Sequence, residues 1–173
     1  LPSTDASCSI LLFYQYNSSK FSDERVEELR QYLLEIGRQR TNLAGRIRIA
    51  PEGLNCTLSA IDSGESVHPA PAGSVIHLLA SSESSAAATL RHFSYDLQQF
   101  DSVFHDTDYK YLDNLTADRH FAQLTIIPVK ELVYYGLSEE SAPLEKGGKH
   151  VTPQQFHRLL EGKELENDEK AAK

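Results

Sequence analysis

The residues best suited to chemistry lie between Gly45 and Ser59, in the stretch GRIRIAPEGLNCTLS. Arg46 and Arg48 are two positions apart in a strictly alternating run, Ala44 to Ala50, with Ile47 and Ile49 on the other phase. Successive side chains of a strand point to opposite faces, so both guanidiniums leave one face of a half-buried strand. Pro51-Glu52-Gly53 makes a turn, because proline presets φ and glycine tolerates positive φ. Leu54 to Ile61 alternates again and pairs back as an antiparallel hairpin, which brings Glu52, Asn55 and Thr57 alongside the arginines. Guanidinium groups favour phosphates and carboxylates through planar, bidentate hydrogen bonds. From Ile36 to Pro51 the chain carries Arg38, Arg40, Arg46 and Arg48 and no acid, a contact strip suited to an RNA backbone. Lys110 and Lys130 join this set if their strands are neighbours. The competing reading is a solvated strand face with local salt bridges to Glu52 or to aspartates.

Other reactive residue types form no comparable group. Cys8 and Cys56 are too few for a disulfide framework and make no C-x-x-C pair, which points to a reducing, cytoplasmic setting. The seven histidines show no H-x-x-x-H or His/Cys spacing, so no metal and no cofactor is expected. His105, Asp106 and Asp108 have the types for a cation site, but charged strand residues facing solvent are the commoner case. The N-x-[ST] sequons at Asn17, Asn55 and Asn114 read as chance, since the first residues lack the charged start and apolar core of a signal peptide.

Composition sets the outer bounds. The chain has 173 residues, 40% hydrophobic and 24% charged, close to the globular average. Lys+Arg number 17 against 25 Asp+Glu, a net charge of −8, which argues against coating nucleic acid through bulk charge and leaves room only for a local basic patch. No apolar run approaches the roughly 20 residues of a membrane span. The chain begins with Leu and contains no Met, so it is expected to be a fragment of a longer protein.

The elements that position these residues follow from periodicity. Cys8 to Tyr16 (CSILLFYQY) reads as a buried strand. Val26, Leu29, Leu33 and Ile36 recur at steps of three and four, the face of a helix that Ser22 or Asp23 can cap. After the hairpin, 62–73 is a loop, and Val75 to Leu79 is a short apolar run that extends or adds a strand. Ala86, Leu90, Phe93, Leu97 and Phe100 give a second helix, capped near Ser84. Val103 to Leu112 reads as a strand. Phe121 to Tyr135 is a long β-prone segment in which Pro128 implies an edge or a bulge, and Tyr134-Tyr135 reads as sheet packing rather than a base-stacking platform. Thr152-Pro153-Gln154-Gln155 is a capping box ahead of a helix whose apolar face is Phe156, Leu159 and Leu160 and which Gly162 can end. The sum is an α+β, β-α-β-β-α-β ferredoxin-like sandwich over 8–136, a connector with a C-terminal helix over 137–162, and a polar linker over 163–173.

The same motifs carry a resemblance. With the early FYQY strand, HDTDYKY, HFAQLTIIPVKELVYYG and GGKHVTPQQFHRLLEG, the hairpin resembles the N-terminal, acylphosphatase-like domain of the rhodanese-like tRNA uridine hydroxylases and the related thiosulfate sulfurtransferase-like proteins. The family's hairpin pattern is met by Gly45, Arg46, Ile47, Ile49, Ala50, Glu52, Gly53, Leu54, Asn55, Thr57, Leu58 and Ser59. A later one is met by Val129 to Val133 with Gly136, and a final one by Gly148 and Pro153. Cys56 and Ala60 depart from it, standing where the family usually has Gly. The resemblance implies a ferredoxin-like fold, a covalently linked rhodanese domain bearing the catalytic cysteine, and a whole protein that converts a wobble uridine of tRNA to 5-hydroxyuridine. It implies no catalytic residue in this chain.

Three functions are compatible with these residues. One is a non-catalytic module that binds RNA or positions a rhodanese domain, with Arg38, Arg40, Arg46, Arg48, Glu52, Asn55, Lys110 and Lys130 as its RNA- or anion-binding set. The second is a protein-interaction scaffold. The third is an acylphosphatase-like hydrolase using Arg46 and Asn55, which the glycine-free first loop, Asn17 to Ser22, disfavours.

Overall fold

One five-stranded sheet organises residues 7–128 in this computed structural model, which describes residues 6–62, 84–133, 148 and 151–162. The strands are β1 (Ser7–Tyr16), β2 (Leu43–Ala50), β3 (Gly53–Ile61), β4 (Lys110–Thr116) and β5 (Leu124–Pro128). Their order is β4-β1-β3-β2-β5. β3 runs antiparallel to both β1 and β2, which are therefore parallel to each other, and helix α1 (Asp23–Arg38) joins them across it. Helix α2 (Ser85–Phe100) joins β3 to β4, and β4 pairs antiparallel with β1. This is the expected ferredoxin-like α+β arrangement, with β5 added parallel to β2 at one edge.

Both helices cover the same sheet face. The Ser22 hydroxyl accepts the Arg25 N–H (3.2 Å) and starts α1, whose Leu29, Leu33 and Ile36 are buried. Ser84 accepts the Ala87 N–H (3.2 Å) and starts α2, which buries Leu90, Phe93 and Leu97. They pack on Leu11 and Phe13 of β1, Ile47 and Ile49 of β2, and Leu54 and Leu58 of β3. Each such side chain contributes roughly 1.5–3 kcal/mol on burial. Cys56 and Ala60 belong to this layer and are fully buried, so the two departures from the family pattern fill core volume beneath the helices.

Asp62 fastens the layer at one end. Its carboxylate accepts Ser7 Oγ–H (2.5 Å), Ser85 Oγ–H (2.9 Å) and the Ala86 N–H (2.9 Å), linking the start of β1 to the start of α2. Burial alone raises its pKa, but these hydrogen bonds outweigh it and hold the carboxyl below its ordinary value. Asp62→Ala is expected to cost about 1–2 kcal/mol, the range for a lost helix cap. A denaturation midpoint indistinguishable from the parent's would show that the serines suffice.

Two expected strands are shorter than their sequence patterns. The segment from Val103 begins as a 3-10 turn, Ser102–Phe104, because Asp101 Oδ1 captures the Val103 N–H (3.1 Å) and Phe104 is fully buried; β4 starts only at Lys110. Within Phe121 to Tyr135, strand geometry is confined to β5 among the described residues, and Pro128 closes it at the sheet edge, as its missing N–H requires. β4 also bulges. Ile10 faces Leu112 and Cys8 faces Leu115, and the surplus residue is absorbed with Asn114 at φ 58°, a region asparagine tolerates. The Val75–Leu79 run and Tyr134-Tyr135 lie outside the described residues.

β4 and β5 occupy opposite edges, so the connection through 117–123 must cross the sheet, and it does so over the face without helices. Phe121 N donates to Ser59 Oγ (2.9 Å), and the same hydroxyl lies 2.9 Å from His120 Nδ1. The ring is neutral when the hydroxyl donates to Nδ1, and burial lowers its pKa from 6.5. A depressed folded-state value means that this support is complete above pH 6.5 and is lost as pH falls through the lower folded value. Melting temperatures across pH 8 to about pH 5 are expected to drop more steeply for the parent than for His120→Gln. Parallel curves would dismiss the ring as a titrating contact.

The chain divides into two compact units, Leu1–Tyr135 and Gly136–Lys173. In the second, α3 (Pro153–Leu160) opens with a complete capping box. Gln155 N donates to Thr152 Oγ1 (3.2 Å) and Thr152 N to Gln155 Oε1 (2.8 Å), with Pro153 at the first helical position. Gly162 N then donates to Leu159 O (3.0 Å) as the helix ends. No helix among the described residues is long and apolar enough to cross a membrane.

Candidate nucleic-acid interface

Strand alternation sends every second side chain to the sheet face opposite the helices. Register aligns these residues in rows running from β4 to β5. One row is Lys110, Leu12, Thr57, Arg46 and Thr125; the next is Tyr14, Asn55, Arg48 and Ile127. The crossing segment covers the far end of this face at Ser59, which is fully buried, and leaves these two rows accessible. Leu12 is 45% exposed, Tyr14 65% and Leu112 55%, large values for apolar and aromatic strand residues. Tyr16 meets the Tyr14 ring edge-on at a centroid distance of 6.0 Å. No carboxylate occupies a position in the two rows.

The eight arginines of the sheet unit divide by partner. Arg25, Arg30, Arg38, Arg40, Arg91 and Arg119 each pair with a carboxylate. Arg46, exposed, and Arg48, half-buried, have no carboxylate partner among the described residues. Asn55 stands directly opposite Arg48 and diagonal to Arg46, so Arg46, Arg48 and Asn55 are brought together as the hairpin pattern requires. Lys110 shares the row of Arg46, three strands away, and its ammonium pairs with Asp108 at 2.6 Å.

The other expected site residues go elsewhere. Arg38 ends α1 in the helix layer and pairs with Glu35 (3.7 Å). Arg40 is turned inward, donating to Ile36 O (2.9 Å) and pairing with Asp96 of α2. Glu52 uses its carboxylate to accept the Leu132 N–H (2.6 Å), which seats the buried Leu132 beside the hairpin turn. Lys130 is exposed in the segment after β5, where Val129 N donates to Ile49 O (2.8 Å). The strip of four arginines is therefore two on the open face and two in the helix layer. Tyr14 is the exposed aromatic that the sequence pattern did not single out; its alternation with Phe13 was the available signal.

The helix layer has the opposite charge. Asp23, Glu24, Glu27, Glu28 and Glu35 line a groove on α1 floored by Tyr32 and Phe100. Glu27 is held down to about 2 by the Arg30 guanidinium and then the Gln31 amide, so this carboxylate stays ionised.

Neither thiol is poised for nucleophilic work. Burial raises the pKa of Cys8, with Asp118 and Asp62 adding to it, and burial raises Cys56 well above the ordinary value. The first loop is equally committed. Asn17 N donates to Glu52 O (2.8 Å), Ser19 N to Asn17 Oδ1 (3.1 Å), Lys20 N to Asn17 O (3.0 Å) and Phe21 N to Pro51 O (2.6 Å). These four amides face protein acceptors rather than a shared anion position, unlike a phosphate-binding nest.

Known proteins agree with this architecture. Residues 8–68 match the family model described as the UPF0176 acylphosphatase like domain. The match contains Arg46, Arg48 and Asn55. Over 156 residues the chain is 28% identical to a tRNA uridine(34) hydroxylase of Oceanobacillus iheyensis, which covers 88% of this chain and 37% of the relative. The tRNA uridine(34) hydroxylase of Acholeplasma laidlawii is 26% identical over 159 residues, with 88% and 37% covered, and that of Enterococcus faecalis 27% over 151, with 87% and 37% covered. The resemblance drawn from the motifs therefore holds. The chain spans 37% of the length of these curated relatives.

Proposed function

We propose that this chain is the N-terminal, non-catalytic module of a rhodanese-domain protein that modifies the wobble uridine of tRNA, and that it holds RNA on the open sheet face. The observation that carries the reading is the pair Arg46 and Arg48, adjacent on one face and without carboxylate partners among the described residues, in a chain whose net charge is −8. An acidic chain has abundant carboxylates with which to neutralise a guanidinium, and six other arginines are neutralised in this way. Arg46 and Arg48, pre-positioned on one face with no carboxylate partner among the described residues, suit an external polyanion, since phosphate oxygens accept the same bidentate hydrogen bonds as carboxylates. The names of the relatives supply the substrate class, and their greater length accommodates the linked rhodanese domain. Arg40 and Glu52, committed to partners within the protein, and Arg38, on the helix layer, drop out of the working set, as do Lys110, three strands from Arg46 and paired with Asp108, and Lys130, beyond β5; Asn55 stays in it.

The scaffold reading rests on exposed Leu12 and Leu112, which fit a protein partner on the same face. The hydrolase reading has the weakest support, because the first-loop amides are already hydrogen-bonded within the protein. An NMR titration of the chain with bulk tRNA, at about 50 and 200 mM salt, separates the first two. Shifts at Arg46, Arg48, Asn55 and their neighbours that fade with salt support RNA binding. An unchanged spectrum at the lower salt rejects it in favour of the scaffold.

A further inference from the structure

Resting on that reading, we infer that the open face takes single-stranded rather than duplex RNA, with one unstacked base lying on Tyr14 and its phosphates reaching Arg46 and Arg48. Tyr14 is the most exposed of the large apolar strand residues, at 65%. It stands on β1, the second of the five strands, paired with Asn55 of β3, so the ring rises from a strand rather than from a loop. The edge-on contact with Tyr16 fixes its orientation. A ring exposed to this extent offers π-surface to solvent, and every base has a π-face to match.

Row geometry supplies the rest of a nucleotide-sized site. Tyr14, Asn55 and Arg48 lie side by side on β1, β3 and β2. At about 4.8 Å per strand, the Tyr14 and Arg48 backbones are roughly 9–10 Å apart, with Asn55 midway. A base on Tyr14 thus places its edge toward the Asn55 amide, which offers both a donor and an acceptor, and its phosphate toward Arg48. Arg46 is one step further along β2, two residues on at about 6.8 Å, positioned for the next phosphate. Leu12, one step along β1 from Tyr14, gives the neighbouring base or ribose an apolar floor.

This arrangement selects against a duplex. In A-form RNA the bases are stacked on one another and their faces are unavailable, and the major groove is too deep and narrow for a sheet-borne side chain to read. A duplex retains only phosphate contacts with the arginines. Absence of a carboxylate in the two rows argues for a polyanion rather than a protein, whose docking on arginines calls for acidic residues without any need for a presented ring.

The test compares a labelled short oligouridylate with a blunt RNA hairpin of equal phosphate count, by fluorescence anisotropy on the 173-residue chain. The oligouridylate is expected to bind at least about tenfold more tightly than the hairpin. Tyr14→Ala is expected to lose about tenfold of that affinity and Tyr14→Phe to keep it, since stacking needs the ring and not the hydroxyl. Tyr14 is a surface residue, so circular dichroism should show both variants folded. Equal affinity for the two RNAs, or a Tyr14→Ala variant that binds like the parent, overturns the single-strand inference. The RNA reading itself survives that result if Arg46→Glu/Arg48→Glu still abolishes binding. If neither RNA binds the parent at about 50 mM salt, both readings fall and the face is left to a protein partner.

Discussion

Gly53→Ala is expected to destabilise the domain severely, by about 4 kcal/mol. Gly53 has φ +136°, and a Cβ there would lie 1.9 Å from the Gln15 carbonyl oxygen, 2.9 Å from its carbon and 3.1 Å from Tyr16 Cα. All three obstacles are backbone of the neighbouring strand β1, so no side chain can swing aside. Relief requires separating β1 from β3 at the register pair Tyr16 and Gly53, which also disturbs the Asn17 and Phe21 amides that hydrogen-bond the hairpin turn. Conformational strain alone costs roughly 1–2 kcal/mol, and the displaced ladder brings the total to about 4 kcal/mol, beyond what most single substitutions do. Against a typical total stability of about 5–15 kcal/mol, this removes much of the margin. Gly45→Ala meets the Thr57 carbonyl oxygen at 2.3 Å and is expected to behave similarly, whereas Gly148→Ala meets nothing within 4 Å and serves as the control. Chemical denaturation followed by circular dichroism checks all three. A Gly53→Ala midpoint close to that of Gly148→Ala would falsify the claim that backbone contact fixes this position.

Charge reversal at the open face is the second large effect expected. Two charge-assisted hydrogen-bonded contacts at about 1.5 kcal/mol each amount to about 3 kcal/mol, and with tenfold per 1.4 kcal/mol this is on the order of a hundredfold in affinity. Arg46→Glu/Arg48→Glu is thus expected to lower RNA affinity about a hundredfold at 50 mM salt, with the added repulsion acting in the same direction. The salt dependence should change with it. Two neutralised phosphates on a single strand give a log–log slope of about −1.4, so raising salt fourfold costs the parent about sevenfold, and the double variant should lose that slope. Arg38→Glu changes charge by as much as either single reversal, but its residue ends α1 in the helix layer. Its affinity should match the parent's within about twofold, because exposed charges beyond a Debye length of roughly 10 Å are largely screened. Should Arg38→Glu weaken binding as much as Arg46→Glu, the attraction is to net charge and the face has no special part in it.

What could be read in advance was local, and what could not was long-range. Leu29, Leu33 and Ile36, or Leu90, Phe93 and Leu97, reveal a buried helix face because the helix itself brings them together. Arg46 and Arg48 reveal a shared strand face for the same reason, and Pro128 marks an edge through its own missing N–H. Arg40 and Glu52 looked equally available in the sequence, yet their partners, Asp96 and Leu132, lie 56 and 80 residues away. No spacing rule discloses such pairings. The alternating pattern from Val103 was defeated by Asp101, whose capping of the Val103 amide made a turn where a strand was expected. Tyr14 was hidden by context: CSILLFYQY is apolar on both phases, and only the placement of helices on one side of β1 decides which phase is exposed.

Asp23 and Glu24 of the α1 groove have no Lys or Arg partner among the described residues, whereas the two open-face rows carry no carboxylate, and this difference between the two faces changes what a net charge of −8 means for a polyanion. A nucleic acid approaching the helix layer meets ionised carboxylates and is turned away; one approaching the sheet meets Arg46 and Arg48. Encounters are thereby sorted by orientation before any close contact forms, which favours rapid, one-sided association and rapid release over tight holding. If the face holds RNA as proposed, the same asymmetry disfavours a second RNA behind it.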